Sequence, residues 1–325
     1  MASPSLLAAA ERLAVLLSAG SVAPVADPEG SDLEFEPVVS LRPLARRAAP
    51  PEVWAVDGGQ ATVADARCVQ LVVTRAARVR FVGGECVDED EGDLRAWLVG
   101  SGEERVAAAS LGLGVAPDAA VDLNLLRDCA EWDRVGRSVE EAVPGAMVLV
   151  DGDLRPDWRI PVAQVAGLLD RARERGVTVA AVTKHSSLAR GGAPLLGQLE
   201  LEAGSALGER AMWWAPVART KPSLGLDLQV VAARLDPEAR FAFRIDLAGD
   251  ADPEPILGAL AGLCDDAAFP GYPYPLTVAD RLAACPAWVK HDVRLDLEDH
   301  LDLAGVPVEV RERAFTDRHA LMERS

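Results

Sequence analysis

The sequence is short of the features that would place it in several common classes. Cysteine is scarce and odd in number: Cys68, Cys86, Cys129, Cys264 and Cys285 are scattered and form no C-x-x-C pair. That excludes a disulfide framework and a zinc ribbon. No apolar run nears the roughly 20 residues that cross a bilayer. The best, residues 6–19, is broken by Glu11 and Arg12 and has no basic leader, so the chain reads as a cytoplasmic protein with no membrane attachment. There is no G-x-x-x-x-G-K-[ST] loop, which excludes ATP hydrolysis by the chain itself. The Gly112-Leu113-Gly114 stretch lacks the third glycine of a dinucleotide loop. His291 and His300 do not fit H-E-x-x-H spacing, and His185, Ser186 and Ser187 support no Ser-His-Asp assignment. Lysine occurs only at Lys184, Lys221 and Lys290, and tyrosine only at Tyr272 and Tyr274, so each of these positions carries more information than usual.

What is abundant is acid. Lys plus Arg is 33 against 51 for Asp plus Glu, a formal charge of −18. This argues against a protein that coats DNA through a basic exterior and leaves room for a local arginine lining. Half of the residues are hydrophobic, enough for one large domain or two moderate ones with a buried core.

Residues 4–19 carry Leu6, Leu7, Ala10, Leu13, Leu16 and Leu17 on one helical stripe, with Ser3 or Ser5 as a cap. Residues 20–51 are rich in Pro, Gly and acid and read as an irregular connector. Strands follow at 53–57, ending in Asp-Gly-Gly, and at 68–74 and 77–82. After an acidic stretch at 85–93 and a helix-rich segment comes a long helix at 122–142, with Leu125, Cys129 and Trp132 on one face. The continuous apolar runs at 146–150 and 177–183 read as strands covered on both sides, with a helix at 161–175 between them. Further strands are expected at 212–217, 227–233 and 240–247, and helices at 254–267, 276–285 and 307–323. The order β-β-β-α-β-α-β with right-handed crossovers gives strand order 3-2-1-4-5, a ribonuclease H-like mixed α/β sheet flanked by helices with additional C-terminal strands and helices. Residues 1–50 are set apart as an N-terminal helix and connector, a possible dimerisation element, and 51–325 as the main domain.

Asp57 is expected to end the first strand and Asp151 the fourth. Parallel neighbours lie about 4.8 Å apart, so both carboxylates would emerge at one edge and reach shared cations. Asp-Gly is also ordinary turn chemistry after a strand. Glu131 lies in the helix that would pack beside the first strand, among Asp128, Asp133, Glu140 and Glu141. Lys184 ends the fifth strand, where an ammonium can bind phosphate or neutralise clustered acids, or sit exposed. In FPGYPYPLTVAD, Tyr272 and Tyr274 offer base stacking or packing, and Asp280 offers a fourth metal ligand or a helix-terminal acid.

The ordered set VWAVDGGQ, LRDCAEW, AMVLVDGDL, VTVAAVTKHSS and GYPYPLTVADRLA, spanning residues 53–285, resembles the NurA nuclease family. The resemblance implies a ribonuclease H-like fold and a manganese- or magnesium-dependent DNA nuclease. It further implies a homodimer acting in DNA end resection and repair with a HerA-type hexameric ATPase/helicase. It makes Asp57, Glu131 and Asp151 metal ligands and places Lys184 and Tyr272 on the family's lysine and tyrosine. Where the family ends its last motif with Ala-His, this chain has Ala279-Asp280. Aspartate suits magnesium and manganese as well or better, so Asp280 is expected to complete the set. VDGG replacing the more usual Asp-Gly-Ser is a smaller departure. The competing readings are a non-catalytic helicase adaptor, for which Asp280 marks decay of the site, and an unrelated cytosolic α/β enzyme acting on a small substrate.

Overall fold

The computed structural model describes residues 4–17, 23–28, 30 and 32–316. Its centre is one mixed sheet of eleven strands. Strand β1 (Glu52–Asp65) pairs antiparallel along its length with β2 (Gln70–Val82). Strands β3 (Glu85–Asp90) and β4 (Arg95–Val99) both pair with β2, each on its own half. On the other side β1 runs parallel to β5 (Met147–Asp151), and β5 parallel to β6 (Thr178–Thr183). An antiparallel meander completes the sheet: β9 (Phe243–Ala248) joins β6, then β8 (Leu228–Arg234), then β7 (Trp213–Thr220). The short strands Leu33–Phe35 and Arg42–Pro43 pair with β7. This is the expected ribonuclease H-like architecture with C-terminal additions.

Several local expectations change. The strands expected at 68–74 and 77–82 are one strand, β2, because no turn residue separates Thr74 from Ala77. The third strand of the meander is instead the acidic stretch, whose side chains are largely exposed and therefore show no apolar alternation. Asp57 does not end its strand; β1 runs eight residues further, with Asp-Gly-Gly inside it. The connector contributes three short strands, one of which, Val25–Ala26, pairs with Ala189–Arg190. Helices α5 (Leu195–Leu207) and α8 (Ala287–Leu303) were not expected. Helix α8 escapes notice because its one buried residue is Val289. Helix α1 (Pro4–Leu17) forms as read, but its leucine stripe is exposed, and Ser5 lies inside the helix and is not its cap. Ser3, residues 18–19, and residues 317–323 of the helix expected at 307–323 lie outside the described residues; α9 covers Val308–Phe315.

Side chains alternate across a strand, and this parity sorts the core into two layers. Val53, Ala55, Met147, Leu149, Ala180 and Val182 face α6 (Pro253–Ala261) and α7 (Tyr274–Ala283). Trp54, Val56, Val148, Val150, Val179 and Ala181 face α3 (Leu123–Glu141) and α4 (Val162–Glu174). The central strands are apolar without a break because both layers cover them. Helix α3 starts at Asp122, whose side chain accepts from Leu125 N at 2.9 Å. Among the described residues, no helix is long and apolar enough to cross a membrane.

Candidate metal centre

The parallel pairing of β1 with β5 stops at Val56↔Val150. Asp57 and Asp151 are the next residues on each strand, and parity points both toward the α7 layer. Strand β5 ends there while β1 continues, so the segment of β1 beyond Val56 has no strand partner on that side. Helix α7 packs across β1 and delivers Asp280. Asp57, Asp151 and Asp280 each offer a carboxylate oxygen, and these oxygens lie within 4.8 Å of one another. Asp57 is 8% exposed, and Asp280 lies at the solvent edge.

Lys184, the first residue after β6, sits between two of these acids. Its Nζ is 2.6 Å from Asp151 Oδ2 and 2.6 Å from Asp280 Oδ1. It also lies 5.2 Å from the ring centroid of Tyr272, a cation–π distance. Tyr272 is buried against Phe243 and Phe269. Five of the seven residues singled out in the sequence, Asp57, Asp151, Lys184, Tyr272 and Asp280, therefore meet on one face of the sheet, while Tyr274 packs edge-on against Phe81.

Glu131 does not join the triad. It projects from α3, on the other face, and rests against Gly58, where any Cβ would collide with its carboxylate. Its Oε1 is 3.0 Å from Arg127 Nε, one helical turn back. The two glycines after Asp57 thus serve close approach and not a turn: Gly58 admits Glu131, and a Cβ at Gly59 would collide with the Ala283 carbonyl that ends α7.

The electrostatics follow from burial and crowding. Burial, then the charge of Asp151, pushes the Asp57 carboxyl up to about 8, although Lys184 and a 2.7 Å hydrogen bond from Gly58 N oppose this. Glu131 is also held well above the ordinary carboxylate range by burial, against the pull of Arg127. For Lys184, burial acts to release the proton, but the hydrogen bonds and charges of Asp151 and Asp280 outweigh it and raise its pKa. Burial and the nearby Asp151 and Asp57 raise the Tyr272 phenol, which keeps its proton. These directions follow from desolvation and neighbouring charge.

A second buried network braces the loops behind the site and was not read from the sequence. Arg244 holds Asp246 in a two-pronged bond of 2.8 Å each, and Asp246 Oδ2 accepts from Leu154 N at 3.2 Å. Asp27, from the N-terminal segment, pairs with Arg155 at 3.0 Å and accepts from Ser187 Oγ at 2.8 Å. Thr183 Oγ1 donates to Gly152 O at 2.5 Å. The turns that follow Asp151 and Lys184 are therefore tied together. Arg127 is a further residue that composition does not single out, although its four-residue spacing from Glu131 in LRDCAEW is a helical pair signal.

Oxygen donors of this kind, packed close and partly buried, are the donor set of a hard divalent cation. The lysine ammonium wedged between Asp151 and Asp280 shows that the pocket already seats positive charge.

No protein-family model matches the chain, and no curated protein matches it in sequence. Solved structures do match in shape. The NurA nuclease from Sulfolobus solfataricus aligns over 82% of this chain and 88% of its own, with TM-score 0.56 and 14% identity. A second NurA structure aligns over 87% of this chain and 94% of its own, with TM-score 0.52 and 8% identity. The chain has the fold of the NurA nucleases.

Proposed function

We propose that this protein is a divalent-metal-dependent DNA nuclease. The observation that carries the proposal is the convergence of Asp57, Asp151 and Asp280 within 4.8 Å at the end of β5, on a fold shared with NurA nucleases. Asp57, Asp151 and Asp280 would hold manganese or magnesium, with Glu131 entering from the opposite face past Gly58. Such ions lower the pKa of bound water and stabilise a leaving oxygen in phosphodiester hydrolysis.

The chain's own residues do the rest. Asp57 is the buried acid at the centre, and deprotonating it prepares the site. Lys184, charged across the ordinary pH range, balances Asp151 and Asp280 and, being partly exposed, would meet an incoming phosphate. Tyr272 keeps its proton, and its ring backs Lys184. Glycine at 58 and 59 lets α3 and α7 close on the overhang of β1 without displacing the acids.

The same reading takes in the finer roles implied by the sequence resemblance: a homodimer, action in DNA end resection and repair, and partnership with a HerA-type hexameric helicase. A toroidal dimer would let a chain of charge −18 enclose DNA through a local arginine lining. Purified protein incubated with single- and double-stranded DNA and manganese tests the proposal. Cleavage that disappears with EDTA and with Asp57→Asn supports it. Intact DNA under all conditions would leave the adaptor reading.

A further inference from the structure

Two cations flank the acidic cluster where β1 overhangs β5. Lys184 stands on the β6 side, and Arg127 stands on the α3 side. Helix α3 runs along the overhang of β1: Asn124 Oδ1 accepts from Gln60 Nε2 at 2.8 Å, and Glu131 lies on Gly58. Arg127 lies on α3 between these two anchor points, and its guanidinium is within the field of Asp57.

Two features make Arg127 more than a structural partner. Its hydrogen bonds run through Nε and Nη2, to Asp128 Oδ1 at 3.2 and 2.8 Å, and Nε also faces Glu131 at 3.0 Å. That leaves the Nη1 corner for another acceptor, and the side chain is 31% exposed. The plane of the guanidinium is fixed by two carboxylates on its own helix, so little rotamer freedom remains to be lost on binding. A planar fork held in one orientation suits a phosphate better than a mobile ammonium does.

We propose that Arg127 is a substrate-binding residue that takes a backbone phosphate of the DNA strand, opposite Lys184. This rests on the nuclease reading for its substrate class. Beside the acids Asp57, Asp151, Asp280 and Glu131, a phosphodiester needs fixed positive charge on both sides to approach. Arg127 supplies it on the side where Lys184 cannot reach.

The test compares wild type, Arg127→Met and Arg127→Lys. Binding of a fluorescein-labelled single-stranded oligonucleotide is followed in EDTA across a salt series, and cleavage kinetics are measured with manganese. Arg127→Met should flatten the slope of log affinity against log salt by about 0.7, the loss of one phosphate contact on a single strand. It should also raise KM by at least about tenfold with a smaller change in kcat. Arg127→Lys should keep the slope and recover part of KM. If Arg127→Met fails to fold, the paired variant Arg127→Gln with Asp128→Asn removes the charge together with its partner and carries the same expectation. An unchanged slope and KM, or weaker manganese binding by calorimetry with an unchanged slope, would overturn the proposal and leave Arg127 as a positioner of Glu131. The two readings separate in the wild type. Cleavage with an Arg127-independent slope sinks only the Arg127 proposal. An Arg127-dependent slope without cleavage sinks only the nuclease reading. Neither binding nor cleavage sinks both.

Discussion

The two faces of the sheet meet the same rim and treat their acids differently. On the α7 face, Asp57, Asp151 and Asp280 crowd together around one lysine. On the α3 face, Glu131 approaches the same rim beside Gly58, within the field of Asp57 and Asp151, and is compensated by Arg127. The difference comes from strand parity. Residues 57 and 151 fall on the side of Val53, Ala55, Met147 and Leu149, so their carboxylates cannot point anywhere but toward α7. Glu131 comes from the opposite layer and gains access only because position 58 has no side chain. One face is built to concentrate charge, and the other holds an acid in reserve.

The comparison can be broken most forcefully at Asp57. Asp57→Asn should lower manganese-dependent cleavage by roughly three orders of magnitude, the scale of several kcal/mol of lost transition-state stabilisation. Glu131→Gln should lower it less. Equal losses, measured as kcat/KM, would erase the distinction between the faces.

A second difference appears with pH. The Asp57 carboxyl is raised from 3.8 to about 8 in the folded protein. A raised acid favours the protonated form, so its stabilising contribution is full below about pH 4 and is lost as pH rises toward 8. Metal-free protein should therefore lose thermal stability across that window. Manganese, which needs the deprotonated acid, should restore more stability at the upper end than at the lower. Melting temperatures in EDTA and in manganese, taken from pH 5 to 8, check this; parallel curves would contradict it.

The two glycines sharpen the contrast structurally. Gly59→Ala meets the backbone carbonyl of Ala283, which cannot move without shifting α7, and should destabilise by about 1–3 kcal/mol. Gly58→Ala meets the Glu131 side chain from Cγ to the carboxylate, atoms that can shift without moving backbone, and should cost less. Urea denaturation of both variants measures the order.

The smallest expected effect is at Lys184. Replacing it with Met removes the ammonium that bridges Asp151 and Asp280, so manganese should bind several-fold more tightly while the metal-free protein becomes less stable. Weaker metal binding, read by calorimetry, would mean that Lys184 organises the acids and does not merely neutralise them.

Much of this arrangement is legible in the sequence, and the limits have physical reasons. The unbroken apolar runs before Asp151 and Lys184 mark buried parallel strands, and crossover handedness then places β5 beside β1. The end of β1 is not legible, because a glycine pair reads equally as a turn or as a place of close approach. The union of 68–74 and 77–82 into β2 is hidden by the Arg75 that interrupts the apolar pattern and is itself buried. Glu131 and Arg127 share a helix with several other charges, so spacing alone does not single them out. The Asp27, Arg155 and Ser187 tie joins segments far apart in the chain, which no local pattern reveals.

The central claim is that three carboxylates on the α7 face hold a divalent ion. An anomalous difference map from crystals soaked in manganese tests it most directly. The account predicts a peak bonded to oxygens of Asp57, Asp151 and Asp280, with Lys184 Nζ displaced from its place between Asp151 and Asp280. An acidic triad without a peak at full manganese occupancy elsewhere, or an ion bound away from Asp57, would contradict it.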